Sequence, residues 1–250
     1  MESDSGTDIP ASLATAWGLR ERPGKGPKPG LSLERIVTAA INVAAADGLA
    51  AVSMNRIAKE LGVSAMALYR YVGAKNELLP LMLDLAIGGP PPPRGADEGW
   101  RSAMERWCWS YLAGLRRNSW ALRVPITDPP NTPQQIAWLE HGLTSLRGTG
   151  LTEHEKVSVI MLLSSYVRNT EALFHGIAEA VVAAGSSAER MMSSYSDVLR
   201  KVIDPERFPS VSAALGQGVF DQPDSVDGEF GFGLDRVLDG IDVLVRSRTQ

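Results

Sequence analysis

Cysteine is almost missing from this chain: Cys108 stands alone among 250 residues. An intramolecular disulfide is therefore excluded, as is a cysteine-built metal site, and nothing points to an oxidising compartment. Long apolar runs are missing too. The opening stretch, MESDSGTDIPASLATAWGLRERPGKGPKPG, lacks the apolar core of a secretory signal. No later segment approaches the ~18 uninterrupted apolar residues of a membrane span. These absences predict a soluble, cytoplasmic protein with no membrane partner.

Catalytic patterns are absent as well. His141, His154 and His175 have no partner at metal-type spacing apart from Glu171, four residues before His175, which reads as chance. There is no Gly-x-Ser-x-Gly, and Gly24-Lys25-Gly26 follows no strand, so it is not a nucleotide loop. The expectation is a protein that is not an enzyme, with no catalytic residue, no metal and no cofactor. What is there is ordinary globular material, 44% hydrophobic and 22% charged, which excludes disorder, collagen-like repeats and a polyelectrolyte tail. The 24 glycines and 16 prolines are clustered rather than scattered, leaving long stretches for helices in an all-α chain.

Net charge is -4, but it is unevenly spread. Residues 20–79 hold nine basic side chains (Arg20, Arg22, Lys25, Lys28, Arg35, Arg56, Lys59, Arg70, Lys75) against five acidic ones (Glu21, Glu34, Asp47, Glu60, Glu77). That region is built to meet anions, whereas the flanking regions are acidic. Residues 1–30 mix Gly, Pro and Ser with scattered charge and show no periodicity, so they read as a flexible arm whose end is basic.

Helical punctuation begins at Ser32, an N-cap with Leu31 and Ile36 placed as a hydrophobic staple, and stops at Asp47 and Gly48. Ser53 caps a second, short helix with Ile57, Ala58 and Leu61 on its apolar face, ended by Gly62. Ser64 caps a third, with Leu68 and Val72 four apart and Gly73 closing it. A fourth starts at Lys75 and meets Pro80, which costs little within the first turn but deprives the Asn76 carbonyl of its donor if it lies deeper.

After the stiff connector GGPPPP at 88–93 the helices lengthen. Trp100, Met104, Trp107, Tyr111 and Leu115 form one stripe; a short helix surrounds Trp120; and Ile136, Leu139, Leu143 and Leu146 mark the next. Thr152 with Glu155 is a capping box opening a helix that runs through Val167 towards Phe174 and Val182. Short helices are expected over 187–203 and 207–216, and a last one between Phe232 and Arg248.

Three short helices with a glycine turn between the second and third make a helix-turn-helix, whose recognition helix lies in the DNA major groove. Residues 31–79, and above all LGVSAMALYRYVGAKNELL at 61–79, closely resemble the DNA-binding domain of the TetR family of bacterial transcriptional regulators. Ile57-Ala58, Leu61-Gly62-Val63, Leu68-Tyr69, Val72 and Lys75 with Glu77-Leu78-Leu79 carry that resemblance. It implies three parts: an arm at 1–30, the helix-turn-helix domain at 31–79, and a larger helical ligand-binding and dimerisation domain at 80–250. It also implies a homodimer that represses from a pseudo-palindromic double-stranded operator until a small hydrophobic or aromatic effector enters the C-terminal domain.

Chemistry assigns the DNA-facing residues. Lys75 suits a phosphate, helped by backbone N–H groups at its helix start. Tyr69 and Tyr71 carry hydroxyls for phosphates, with packing on the helix-turn-helix core as the other reading of Tyr71. Ser53, Asn55 and Ser64 sit at helix starts, where the family touches DNA. Arg70 can span guanine O6 and N7 or contact a phosphate, while Ala65, Met66 and Ala67 offer only apolar contact, as to a thymine methyl. By resemblance, Met104, Trp107, Tyr111, Trp120, Trp138, Met161, Ser165, Tyr166 and Asn169 fall on helices around the effector, with core packing as the competing reading. The helix from Thr152 and the last helix are implied to form the dimer interface, again against core packing. Two other functions fit the sequence: a helical small-molecule binding protein, and an effector-independent DNA-binding protein. Loss of DNA binding on removing Lys75 and Tyr69 separates the first from the regulator.

Overall fold

The computed structural model describes residues 9–19 and 30–248, and among these every regular element is helical. In chain order they are α1 Ala11–Ala16, α2 Leu33–Asp47, α3 Met54–Leu61, α4 Ala65–Leu68, α5 Lys75–Ile87, α6 Trp100–Arg117, α7 Pro133–Ser145, α8 Glu153–Ala183, α9 Ala188–Val202, α10 Pro209–Gly216 and α11 Val226–Arg248. Single 3-10 turns at Leu49–Ala51 and Ser119–Arg123 follow α2 and α6.

The caps act as the sequence requires. Ser32, Ser53 and Ser64 accept from the backbone N–H groups of Arg35, Arg56 and Ala67. Gly62 takes φ +67°, the left-handed conformation that ends α3 without a Cβ penalty. The Thr152 N–H donates to Glu155 Oε2 at 2.8 Å and the Glu155 N–H to Thr152 Oγ1 at 3.2 Å, a reciprocal box at the start of α8.

Two compact units divide the chain. One holds the described residues up to Ser164 together with those from Val245; the other is Ser165–Leu244. The boundaries of these units fall within α8 and α11. In the first unit α5 is the spine: α1, α2, α6 and α7 all pack on it. The turn at Leu49–Ala51 also packs on the turn at Ser119–Arg123, which carries Trp120. Ile36, Ile57, Leu68, Val72, Leu78 and Met82 are fully enclosed, so the helix-turn-helix and the start of α5 share one core. In the second unit Asp221 accepts from the Ser196 hydroxyl at 2.7 Å and from Arg200, and the Tyr195 and Phe220 rings meet edge to face.

Differences from the sequence reading have local causes. Helix α1 stands within the stretch expected to be an arm without regular structure. A helix this short has no periodicity to read and is held by tertiary bonds, described below. The basic arm residues Arg20, Arg22, Lys25 and Lys28 lie outside the described residues. Helix α11 opens at Val226, ahead of Phe232, because Ser225 Oγ accepts the Gly228 N–H and offsets the poor helix propensity of Gly228, Gly231 and Gly233. Pro80 lies in the second turn of α5, and the helix continues through it.

Candidate DNA-reading head and aromatic cluster

The head is set by apolar plugs. Leu68 at the end of α4 and Val72 just after it are wholly buried, so the intervening residues are turned outward. Met66 is 76% exposed and Tyr69 48% exposed, and Arg70, Ser53, Asn55 and Ser64 are exposed beside half-covered Ala65 and Ala67. The two capping serines use an oxygen lone pair on the backbone and keep their hydroxyl protons for another acceptor. Tyr71 differs: its hydroxyl donates to the Leu31 carbonyl at 3.0 Å, tying the end of the recognition turn to the entry of α2.

Charge is distributed as sharply. Arg56 on α3 binds Asp47 at 2.8 Å and approaches Glu60, so it braces α3 against the end of α2. Arg70 and Lys75 make no ion pair among the described residues. Lys75 opens α5, and its helix start is flanked by Glu77, whose Oε2 accepts the Gly73 N–H at 3.1 Å and the Ser12 hydroxyl at 2.8 Å. That carboxylate is thereby engaged on the protein rather than left facing an anion at the same helix end.

The residues expected around an effector do not share one environment. Trp107 and Tyr111 on α6 and Trp138 on α7 form a triangle of rings with centroids 5.3–5.6 Å apart, Trp107 and Trp138 edge to face. Both indoles are anchored: Trp107 Nε1 donates to the Trp138 carbonyl at 3.1 Å, and Trp138 Nε1 to the Gly88 carbonyl at 2.8 Å. Met104 is fully buried, and Trp120 is buried with no partner for its Nε1–H among the described residues. Met161, by contrast, is 66% exposed, and Ser165 and Asn169 are exposed on α8. Tyr166, in the second unit, donates its hydroxyl to the Phe230 carbonyl at 2.7 Å and stacks on the Phe230 ring.

Several participants have no signature in the sequence. Asp84, in the last turn of α5, accepts from the Gln134 and Gln135 N–H groups at 2.8 and 3.1 Å, capping α7 from another helix. Asn118 Nδ2 donates to the Ala86 carbonyl at 2.9 Å, joining the end of α6 to α5. The proline connector is pinned by Arg94, whose guanidinium donates to the carbonyls of Glu98, Ser145 and Arg147, and by a two-point pair between Arg106 and Glu98. Arg106 holds the Glu98 carboxyl below the ordinary carboxylate range. Only local spacing could have flagged these groups, and their partners lie far away in the chain. Among the described residues no three His, Cys, Asp or Glu side chains are placed to hold a metal, and no helix is long and apolar enough to cross a membrane.

Comparison with known proteins places this geometry. Residues 36–82 match the family described as bacterial regulatory proteins, tetR family, and residues 92–245 match the tetracyclin repressor-like C-terminal domain. The HTH-type transcriptional repressor DrrR1 of Streptomyces coeruleorubidus is 40% identical over 248 residues, covering 99% of this chain and 90% of that protein. Apo ActR of Streptomyces coelicolor is 24% identical with a TM-score of 0.73, covering 88% of this chain and 99% of its own. ActR in complex with actinorhodin is 25% identical with a TM-score of 0.71 over the same shares.

Proposed function

Because this chain belongs to the TetR family of bacterial transcriptional regulators, we propose that it is a cytoplasmic, homodimeric repressor. It leaves a pseudo-palindromic operator when a flat, largely apolar aromatic effector binds its C-terminal region. Its role is regulatory rather than catalytic. Residues 31–79 read DNA, and residues 80–250 bind the effector and dimerise.

The observation that carries the reading is the pair of cations at the recognition turn. Arg70 and Lys75 flank it without ion-pair partners among the described residues, whereas Arg56 in the same head is braced by carboxylates. Arg70 reads a guanine edge, Lys75 takes a phosphate, and Tyr69, Ser53, Asn55 and Ser64 add hydroxyl or amide contacts. Met66, Ala65 and Ala67 permit close approach to thymine methyls. Tyr71 contributes by holding the turn.

For the effector, the Trp107, Tyr111 and Trp138 rings supply stacking faces, and the buried, unpartnered Nε1–H of Trp120 supplies a donor for an oxygen on the ligand. The likeness to ActR, solved with actinorhodin, supports a small molecule in this region. Helix α7 grips α5 at Asp84 and at Gly88, so displacement of Trp138 by a ligand pulls on the helix that carries Lys75. Dimerisation uses the outward faces of α8 and α11. Val157, Met161 and Leu162 on the first and Phe232 and Val243 on the second are exposed, although both helices bury another face. Met161 therefore belongs to the dimer face in this reading.

The test is binding of the purified protein to DNA from upstream of its own gene, across a salt series, followed by titration with actinorhodin or a simple anthraquinone. A salt-sensitive complex, tighter than on random DNA and dissolved by one of these probes, is the expected result. Binding no tighter than to random DNA would return the chain to the class of helical small-molecule binders. An operator complex immune to every aromatic probe would favour an effector-independent DNA-binding protein.

A further inference from the structure

Helix α1, Ala11–Ala16, lies outside both segments matched by the family. Its six residues start at Pro10 without a side-chain cap. Isolated helices below about 12 residues are marginal in water, so α1 exists because something holds it. Two bonds do so, one at each end. The buried Ser12 hydroxyl donates to Glu77 Oε2 at 2.8 Å, the same oxygen that accepts the Gly73 N–H. Gly73 lies between Val72, which closes the recognition turn, and Lys75, which opens α5. At the other end, Trp17 Nε1 donates to the Asn131 carbonyl at 2.8 Å. The Asn131 N–H in turn donates to Gln135 Oε1, in the first turn of α7, where Asp84 also binds. The helix is sealed between these anchors by the Gly18 N–H on Thr15 and the Leu19 N–H on Ala14.

The geometry points to α1 as a strap that fixes the DNA-reading turn against the start of α7, with Ser12, Glu77 and Trp17 as positioning residues for operator recognition. This rests on the reading of residues 31–79 as the DNA-binding head. The strap spans the two places that must move relative to each other if α7 shifts along α5. At six residues and without a side-chain cap it has little intrinsic stability, so it is easily released. Once Ser12 leaves Glu77, the carboxylate that orders Gly73 loses one of its two partners, and the backbone carrying Arg70 and Lys75 loosens. The strap thereby makes the head stiff in the free protein and releasable by a change at α7.

The experiment compares Ser12→Ala, Trp17→Phe and the double variant in the full-length chain. Operator affinity is measured across a salt series and amide hydrogen exchange is followed by mass spectrometry. Trp17 is 41% exposed and Ser12 is small, so neither change empties the core. Each single variant is expected to lower operator affinity about threefold to tenfold, the scale of one lost hydrogen bond. The double variant should lose no more than the worse single one, because either cut frees the whole strap. The salt slope should stay at the parent value, since no phosphate contact is removed. Exchange should quicken over residues 10–19 in both singles and over 73–77 even in Trp17→Phe. Additive losses, a shallower salt slope, or Trp17→Phe with parental affinity and parental exchange at 73–77 would each overturn the strap. A parent chain that binds no DNA would instead overturn the DNA-binding reading. The exchange data then decide the strap alone: coupled loss at both ends supports the clamp, and local loss at one end removes it.

Discussion

The indole Nε1–H of Trp138 donates to the carbonyl of Gly88 at 2.8 Å, linking a ring of the aromatic cluster to the residue that ends α5. The opposite end of α5 begins with Lys75. A side chain suited to an effector and a side chain suited to a phosphate are thus carried at, or bonded to, the two ends of one helix. Asp84, between them, caps α7 and keeps the two helices in register.

Replacing Trp138 by Phe keeps an aromatic face but removes the donor to Gly88. Operator affinity of the effector-free protein is expected to stay within about twofold, while the aromatic probe needed for half-release rises about fivefold to tenfold, one hydrogen bond's worth of coupling. Fluorescence anisotropy with labelled operator, titrated with the probe, measures both. A parental release curve would show that this bond carries no signal.

Arg70 and Lys75 separate by specificity. Arg70→Ala is expected to cost about 1–3 kcal/mol on the operator and to relax preference at one base pair, as loss of a two-point guanine contact does. Lys75→Ala should weaken every sequence alike and reduce the salt slope by about one. Competition binding with operator variants distinguishes the two, and a uniform loss from Arg70→Ala would assign it to a phosphate.

Gly233 on α11 leaves room for Tyr166 on α8. A Cβ there would overlap the Tyr166 hydroxyl and come within 2.9 Å of Cζ. Gly233→Ala is expected to destabilise the protein by about 1–3 kcal/mol, the cost of overpacking. Adding Tyr166→Ala should recover part of that loss, because the two sites share one contact. Urea unfolding of both singles and the double variant gives the coupling, and simple additivity would show that the backbone moves aside instead.

Acid should loosen the connector. Glu98 is held below the ordinary carboxylate range, first by its hydrogen bonds from Arg106 and then by the Gly95 N–H. Its stabilising pairing is therefore complete above that range and is lost as pH falls through it towards the lowered value. Amide exchange over residues 94–98, taken relative to its intrinsic rate at each pH, should quicken between about pH 5 and pH 3, and in Glu98→Gln it should be fast already at neutral pH with a flatter dependence. An unchanged acid profile in Glu98→Gln would assign the loosening to other carboxylates.

The helix-turn-helix was legible because its signals act within four residues. Ser53 and Ser64 cap, Gly62 supplies a left-handed turn, and Leu68 and Val72 repeat at helical spacing, each of which backbone geometry forces locally. The capping box at Thr152 and Glu155 was readable for the same reason. The aromatic residues were visible as a stripe, yet the sequence left open which belonged together. The fold joins Trp107, Tyr111 and Trp138, leaves Met161 exposed, and engages the hydroxyls of Tyr166 and Tyr71 on backbone carbonyls.

By itself the sequence determined the family, the all-helical class and the order of the head's helices, since caps, glycines and periodic apolar positions specify elements one at a time. Only the tertiary structure decided that α1 forms, that Ser12 meets Glu77 across 65 positions, and that Asp84 and Trp138 bind α5 to α7 across 50. Such pairs form where packing brings distant backbone together and buried polar groups must find partners. That demand depends on the assembled core rather than on any neighbour in the chain.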